Sequence, residues 1–485
     1  MPEPGHTVRQ NLRATLGSLL AILRRARTER VSVRDRSRSV SKNFFLHMHS
    51  ARTHLYSLRP GFTLGLGVLS LSLFLILLLT GVLLMVYYVP SIEQAYRSVK
   101  DIATVVPAGR YIRNIHRWGA HGMVAVVLFH LLRVLFTSGY TGSRRVNWLV
   151  GITLLCMTIL YSFSGYLLPW DQLAFWAVTI ASNIVASTRE LSDLAGITGW
   201  FDPGGFIRRL LLGGDTVGQD TLTRFYLLHV VLLPIATIVL IGVHFWRIRK
   251  SGGLAIPADA ADRVLSASGI DDPQLLEEAR LRREHTVLSW PTALWAEGAV
   301  FLCALAALML AAMLVDAPLL APADPSMPEN PAKSPWYFLG VQELVSYSAF
   351  TGGILVPILL LVAATAVPFV DREEQGIGHW FGGRQGKAVV SVSILVALVM
   401  TILVMGIAIG MGWHWTRNAP AAIGLIANPG SILATLYGIW SWLVARSTAS
   451  TKMGVFALAS CCLTGGIVIT IIGIWFRGPN WEFLW

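Results

Sequence analysis

The sequence predicts an all-α, polytopic membrane protein: a four-helix bundle followed by a further four or five transmembrane helices. Three observations predict it. Of 485 residues, 54% are hydrophobic and only 14% charged, a balance far too apolar for a soluble domain. Uncharged runs near the roughly 20 residues that cross a bilayer recur along the whole chain. Basic residues gather in alternate short loops, as they do on the cytoplasmic side of multi-pass proteins.

In chain order, residues 1–60 form a basic arm with twelve Lys or Arg against three Asp or Glu. Beside a membrane helix such a segment is read as touching anionic membrane lipid, not nucleic acid. Spans follow at 62–89, 115–137, 147–168 and 223–248, the third and fourth separated by a long interrupted stretch of short surface helices. Together residues 61–250 make the four-helix unit. A polar linker, 251–290, carries much of the acidic charge of the chain, which cannot sit in lipid. The C-terminal membrane domain, 291–485, supplies spans at 291–315, 352–370, 388–412 and 453–476. The segment 431–446, interrupted upstream by Asn428-Pro429-Gly430, either crosses or lies at the surface. If each helix crosses once, the arm, Arg144-Arg145, Arg247 to Lys250, Arg384 and Lys387 share one side. That side is expected to be cytoplasmic, N-terminus included.

Four histidines lie inside these spans at matched intervals. His116 and His130 are fourteen residues apart and His229 and His244 fifteen, which on a regular helix is about −40° and +60° around the axis and about 21–22 Å along it. Each pair shares a face, with one imidazole near each membrane surface. Two antiparallel helices so equipped clamp two planar macrocycles, His116 facing His229 and His130 facing His244, which is bis-histidine ligation of two b-type hemes. A lone intramembrane histidine is ordinarily a satisfied polar group or a proton relay; matched pairs are harder to explain that way. Glycines repeat the interval on the other two helices, Gly67 and Gly81, then Gly151 and Gly165, where a missing side chain lets backbone lie against a flat cofactor. Arg113, Arg117 and Arg133 sit within a turn of the ligands and suit heme propionates, or anchor the helix at the interface. The four cysteines lie singly or paired in apolar helices and read as small hydrophobes. No Cys-x-x-Cys-His occurs, and no cysteine cluster suits an iron–sulfur centre.

Three stretches now resemble a known family. Ile112-Arg113-Asn114-Ile115-His116-Arg117-Trp118, Gly165-Tyr166-Leu167-Leu168-Pro169-Trp170-Asp171-Gln172 and Leu222-Thr223-Arg224-Phe225-Tyr226-Leu227-Leu228-His229 resemble cytochrome b of the Rieske/cytochrome b complexes. The fifteen-residue interval and the His-Arg-Trp wording are closest to the photosynthetic, plastoquinol-oxidising branch. The resemblance covers 62–250 and continues more loosely through 291–412, where Ser334-Pro335-Trp336-Tyr337 stands at the family's Pro-Glu-Trp-Tyr motif.

The resemblance implies a di-heme b electron-transfer subunit in a bacterial inner membrane. Quinol would be oxidised in an outer pocket formed by Tyr166, Pro169, Trp170, Trp336 and Tyr337, and quinone reduced near the cytoplasmic face, where Arg249 and Lys250 compensate charge. The implied partners are a Rieske-type iron–sulfur protein, a c-type cytochrome subunit or carrier, and a second copy of the chain in a homodimer. Two departures stand out. The cysteine that holds an extra covalent heme in the photosynthetic branch is replaced by Gly65, so no covalent heme c is expected. The motif glutamate is replaced by Pro335, leaving Glu343 or Glu329, or water and a partner's histidine, to take the quinol proton. The alternative is a di-heme b membrane anchor of another respiratory oxidoreductase, which shares the paired histidines but needs neither the Pro-Trp-Tyr loop nor the second half. A transporter using histidines as proton relays is a further alternative.

Overall fold

The computed structural model describes residues 50–410, 412 and 421–484, so most of the basic arm lies outside the described residues. Among the described residues, eight helices are long and apolar enough to cross a membrane: α1 Leu66–Met85, α2 Gly109–Phe136, α3 Gly142–Leu167, α4 Gln219–Lys250, α5 Ser289–Leu314, α6 Thr351–Val370, α7 Arg384–Gly410 and, last in the chain, α9 Thr451–Phe476. Between the last two stands α8, Pro429–Thr448. Its traverse follows from its neighbours. At its start Gly430 faces Val356 near the beginning of α6. Just past its end, Ser450 donates to Glu373, beyond the other end of α6, at 2.9 and 2.8 Å. The segment 431–446 therefore runs the full depth of α6, a ninth helix beside the eight among the described residues.

Helices α1 to α4 pack in sequence, α5 lies against α1 and α2, and α6 against α3. The last three helices, α7 to α9, pack mainly on one another around Ala397, Met405, Tyr437 and Cys461. Leu79, Ile235, Val239, Leu395 and Leu403 are exposed on helix flanks. Aliphatic surface of that extent, spread along long helices, is a lipid-facing surface.

The loops fall into two sets. On one side Arg144 donates to the carbonyl oxygens of Ser251 and Leu254, Gly378 N–H to Thr137 O, and Trp380 Nε1 to Gly61 O. This side joins the α2–α3, α4–α5 and α6–α7 loops to the start of α1. On the other side Tyr88 donates to Leu168 O, Gln219 to Pro90 O, and Ala323 N–H to Trp170 O. These contacts group the loops as expected, apart from the N-terminal arm, which lies outside the described residues.

Some boundaries differ from expectation for identifiable reasons. Helix α2 begins at Gly109, not near 115, because the C-terminal end of α5 receives its polar first turn. Arg110 Nε donates to Asp316 Oδ1 at 2.6 Å. Asn114 donates to Ala312 O and accepts from Ala317 N–H, both at 2.9 Å. Helix α1 is shorter than 62–89, since Leu64 and Gly65 take left-handed conformations, φ 51° and 62°. A small antiparallel pair, Arg52–His54 with Thr286–Leu288, ties the chain before α1 to the linker before α5. The linker itself folds into two short helices, Ala260–Ser266 and Pro273–Leu281.

Candidate functional site

The four histidines meet in the pairs their spacing indicates. His116 of α2 and His229 of α4 have ring centroids 6.4 Å apart, and His130 and His244 6.5 Å apart. Two imidazoles bound to one metal, each through a nitrogen about 2 Å away and with the ring centre about an ångström further, have centroids about 6.3 Å apart. Both gaps fit an axially ligated iron.

The fifteen-residue interval on α4 is reconciled by backbone. Residues Leu228–Leu232 form a π-helical turn in which Leu233 N–H donates to Leu228 O. A π turn takes up one residue more than an α turn, so fifteen residues here advance the face much as fourteen do on α2. Pro234 lies just beyond; lacking an N–H and crowding the carbonyl four residues back, it disfavours an ordinary α turn there.

The glycines approach the histidines themselves. A Cβ added at Gly81 would lie 3.2 Å from His116 Cε1, at Gly67 3.2 Å from His130 Cε1, at Gly165 2.5 Å from His229 Cε1, and at Gly151 3.9 Å from His244 Cε1. Each glycine thus makes room for one ligand ring from α1 or α3.

Sequence reasoning missed two hydroxyls next to the outer glycines. Thr80 Oγ1 lies 2.9 Å from His116 Nδ1 and itself donates to Ile76 O at 2.8 Å. Ser164 Oγ lies 3.1 Å from His229 Nδ1 and donates to Leu160 O at 2.7 Å. With their protons committed to backbone carbonyls, the hydroxyls accept from Nδ1–H, which fixes the tautomer and leaves each Nε2 free for a metal. The repeated order hydroxyl-then-glycine, Thr80-Gly81 and Ser164-Gly165, was the available signal. At the other level, His130 Nδ1 and His244 Nδ1 are buried without a hydrogen-bond partner among the described residues.

The three arginines separate. Arg113 donates to Ala317 O at 2.8 Å and Pro318 O at 2.6 Å. Arg117 stacks over Tyr166 at 4.8 Å. Arg133 is buried, 4.4 Å over the Phe62 ring, and its Nη2 has no partner among the described residues. A buried guanidinium nitrogen of this kind suits an anionic oxygen. At the end of α4, Lys250 stacks on Trp246 at 5.0 Å, and Arg249 lies one residue before it.

Of the expected pocket residues, Tyr166 and Trp170 are buried at the α3 corner, with Pro169 between Leu168 and Trp170. Tyr337 reaches the same bundle, its ring 5.6 Å from His121 of α2, and Trp336 packs beside it at 5.3 Å.

Glu343 is placed elsewhere. Its fully buried carboxylate accepts from Arg477 Nε at 2.9 Å and Nη2 at 2.5 Å, from Trp481 Nε1 at 2.9 Å and from the Tyr347 hydroxyl at 3.3 Å. A carboxylate held by a two-pronged arginine is a structural ion pair between the Pro-Trp-Tyr helix, Trp336–Val345, and the C-terminal segment. This corrects the expectation that Glu343 takes a quinol proton, because its lone pairs are already occupied. Removing one partner of a buried pair strands the other charge and costs about 3–5 kcal/mol. Arg477→Leu is therefore expected to lower the midpoint of thermal unfolding in detergent by several degrees, with the Glu343→Leu/Arg477→Leu double variant recovering part of the loss. Equal midpoints in the wild type and the single variant would show that the pair makes no net contribution to stability.

Comparison with known proteins gives a consistent family. The model for the family described as cytochrome b/b6/petB matches residues 58–252. Cytochrome b6 of Prochlorococcus marinus (strain AS9601) is 40% identical over 187 residues, 39% of this chain and 80% of that protein. Cytochrome b6 of Synechococcus sp. (strain RCC307) gives the same identity and coverage, 40%, 39% and 80%. Among solved structures, a chain of "Hyperthermophilic respiratory Complex III" aligns with a TM-score of 0.59 and 24% identity, covering 80% of this chain and 92% of that one. At that identity the likeness is one of fold.

Proposed function

The chain belongs to the cytochrome b/b6 family of multi-pass, heme-binding membrane electron-transfer proteins, and from that premise we propose that it is the di-heme b subunit of a bacterial quinol-oxidising Rieske/cytochrome b complex. It carries electrons from a quinol-oxidising pocket on the outer face to a quinone-reducing site on the cytoplasmic face. The observation that carries this reading is the double clamp: two histidine pairs, centroids 6.4 and 6.5 Å apart, set about 21 Å apart along α2.

His116 and His229 would hold the outer heme and His130 and His244 the inner one. When bound, these groups supply two one-electron stations across a hydrocarbon layer about 30 Å thick. With a histidine from each of α2 and α4, either group would serve electron transfer and not oxygen chemistry. Gly67, Gly81, Gly151 and Gly165 admit the ligand rings. Arg133, with its unpartnered nitrogen, offers a contact for an inner propionate, and Arg113 and Arg117 lie at the outer level.

The outer and inner imidazoles differ in their support. Donation from Nδ1–H to Thr80 and Ser164 makes the outer ligands more electron-rich, which stabilises oxidised iron and lowers its potential. The inner pair lacks such acceptors among the described residues. That asymmetry supports an inward electron flow. The pocket of Tyr166, Pro169, Trp170, Trp336 and Tyr337 binds quinol, and Arg249 and Lys250 border the quinone-reducing side. A Rieske-type iron–sulfur protein and a c-type cytochrome subunit or carrier complete the complex, with a homodimer as its form.

The test is stoichiometric. Purified chain is expected to contain two hemes b per polypeptide, both extracted by acidified acetone, with no heme-stained band on a denaturing gel. One heme per chain would remove the two-station reading, and a stained band would overturn the absence of a covalent heme.

A further inference from the structure

The outer pocket needs a proton acceptor, and three carboxylates of the surrounding segments are committed. Glu343 is held by Arg477. Asp171 caps the helix after the α3 corner, accepting from Ala174 N–H at 2.9 Å and Leu320 N–H at 3.1 Å. Asp316 is bound to Arg110 and Asn114. Pro335 has no side-chain acceptor at all.

One base beside Tyr337 has no such commitment. His121 of α2 lies five residues past His116, about 140° around the helix and 7.5 Å deeper, so it faces away from the line joining the heme ligands. Its ring packs against Tyr337 at 5.6 Å and Trp118 at 5.6 Å. Arg117 lies one turn back and covers Tyr166, and Ser162 of α3 lies beside the Tyr337 hydroxyl. The other two neighbours of α2, α1 and α5, bring Leu77 and Leu308 near this depth, against Gly119. An imidazole, two phenols, a guanidinium and a hydroxyl thus converge from α2, α3 and the Trp336–Val345 helix. Ionisable groups at membrane depth are costly and mark functional paths, and a neutral imidazole offers a ring-nitrogen lone pair to a proton.

We propose that His121 is the proton-accepting catalytic residue of the quinol-oxidising pocket, with Tyr337 as the wall against which the quinol ring lies. One quinol O–H bond breaks and an N–H bond forms on the His121 imidazole. The second hydroxyl proton and one electron would pass to an iron–sulfur partner, and the second electron would pass to the b-type heme that His116 and His229 would hold. Two protons and two electrons leave the quinol, and quinone remains. His121 then releases its proton to the outer aqueous phase.

This inference rests on the function proposed above, and the experiment separates the two. In the purified complex, His121→Asn is expected to slow quinol oxidation about 100-fold, within the usual range for a lost general base. It should also flatten the dependence of the rate on pH that a protonatable acceptor imposes. Titration with a hydroxynaphthoquinone inhibitor should show at least about tenfold weaker binding, as for a lost charge-assisted hydrogen bond. The reduced-minus-oxidised b-type spectrum should stay unchanged, since His121 holds no iron. If the asparagine variant fails to assemble, His121→Gln replaces it with the same expectations. An unaltered rate, pH profile and inhibitor affinity with an intact spectrum overturn the role of His121 alone. A wild-type complex lacking b-type absorbance overturns the parent reading instead.

Discussion

His116→Leu is expected to remove about half of the reducible b-type absorbance and to slow quinol oxidation by at least 100-fold, the scale on which loss of an essential group acts. Leucine fills much of the imidazole volume but offers no lone pair, so the iron at that level would lose one of its two axial bonds. His229→Leu should behave identically, because the two rings face each other across one 6.4 Å gap. His130→Leu and His244→Leu should remove the other half. Heme quantified per polypeptide decides the matter: undiminished content in His116→Leu would mean that this histidine binds no iron. Thr80→Val provides a graded companion. It removes the acceptor of His116 Nδ1–H, and loss of such an orienting partner ordinarily weakens binding 10–100-fold without abolishing it.

The second large effect concerns a methyl group. Gly165→Ala places a Cβ 2.5 Å from His229 Cε1 and 3.1 Å from both ring nitrogens, whereas Gly151→Ala leaves 3.9 Å to His244 Cε1. The first distance is inside van der Waals contact and the second is ordinary contact. His229 cannot swing away freely, since Ser164 holds its Nδ1 from the neighbouring position. Gly165→Ala is therefore expected to lose most heme at the outer level, while Gly151→Ala keeps near-normal content at the inner one. Gly67→Ala and Gly81→Ala, both at 3.2 Å, should fall between. If all four alanine variants carry equal heme, the glycines are there for helix packing alone.

Much of this arrangement was legible in the sequence because it obeys long-range periodicity. The fourteen-residue interval recurs on α1, α2 and α3, and apolar runs mark the spans without reference to tertiary contacts. What escaped had local or cross-chain causes. The start of α2 at Gly109 was hidden because Arg110 and Asn114 look solvent-exposed until Asp316, some 200 positions later, is seen to receive them. The traverse of α8 was undecided because its composition is less apolar than its neighbours; its depth comes from what Gly430 and Ser450 touch. Glu343 appeared available for proton transfer because nothing in its own neighbourhood announces Arg477, 134 positions away. His121 drew no notice beside His116 because a single imidazole without a period carries no signal until Tyr337 is placed against it.

The wide turn at Leu228–Leu232 has a bearing on how chain length relates to cofactor geometry. It is a slack link: dropping one amino acid there would tighten the turn to normal pitch while keeping both imidazoles at their azimuth and depth. A chain one residue shorter between these two positions could therefore bring its imidazoles to the same two levels. The count of intervening residues is thus free to vary by one while the spacing of the two levels is kept.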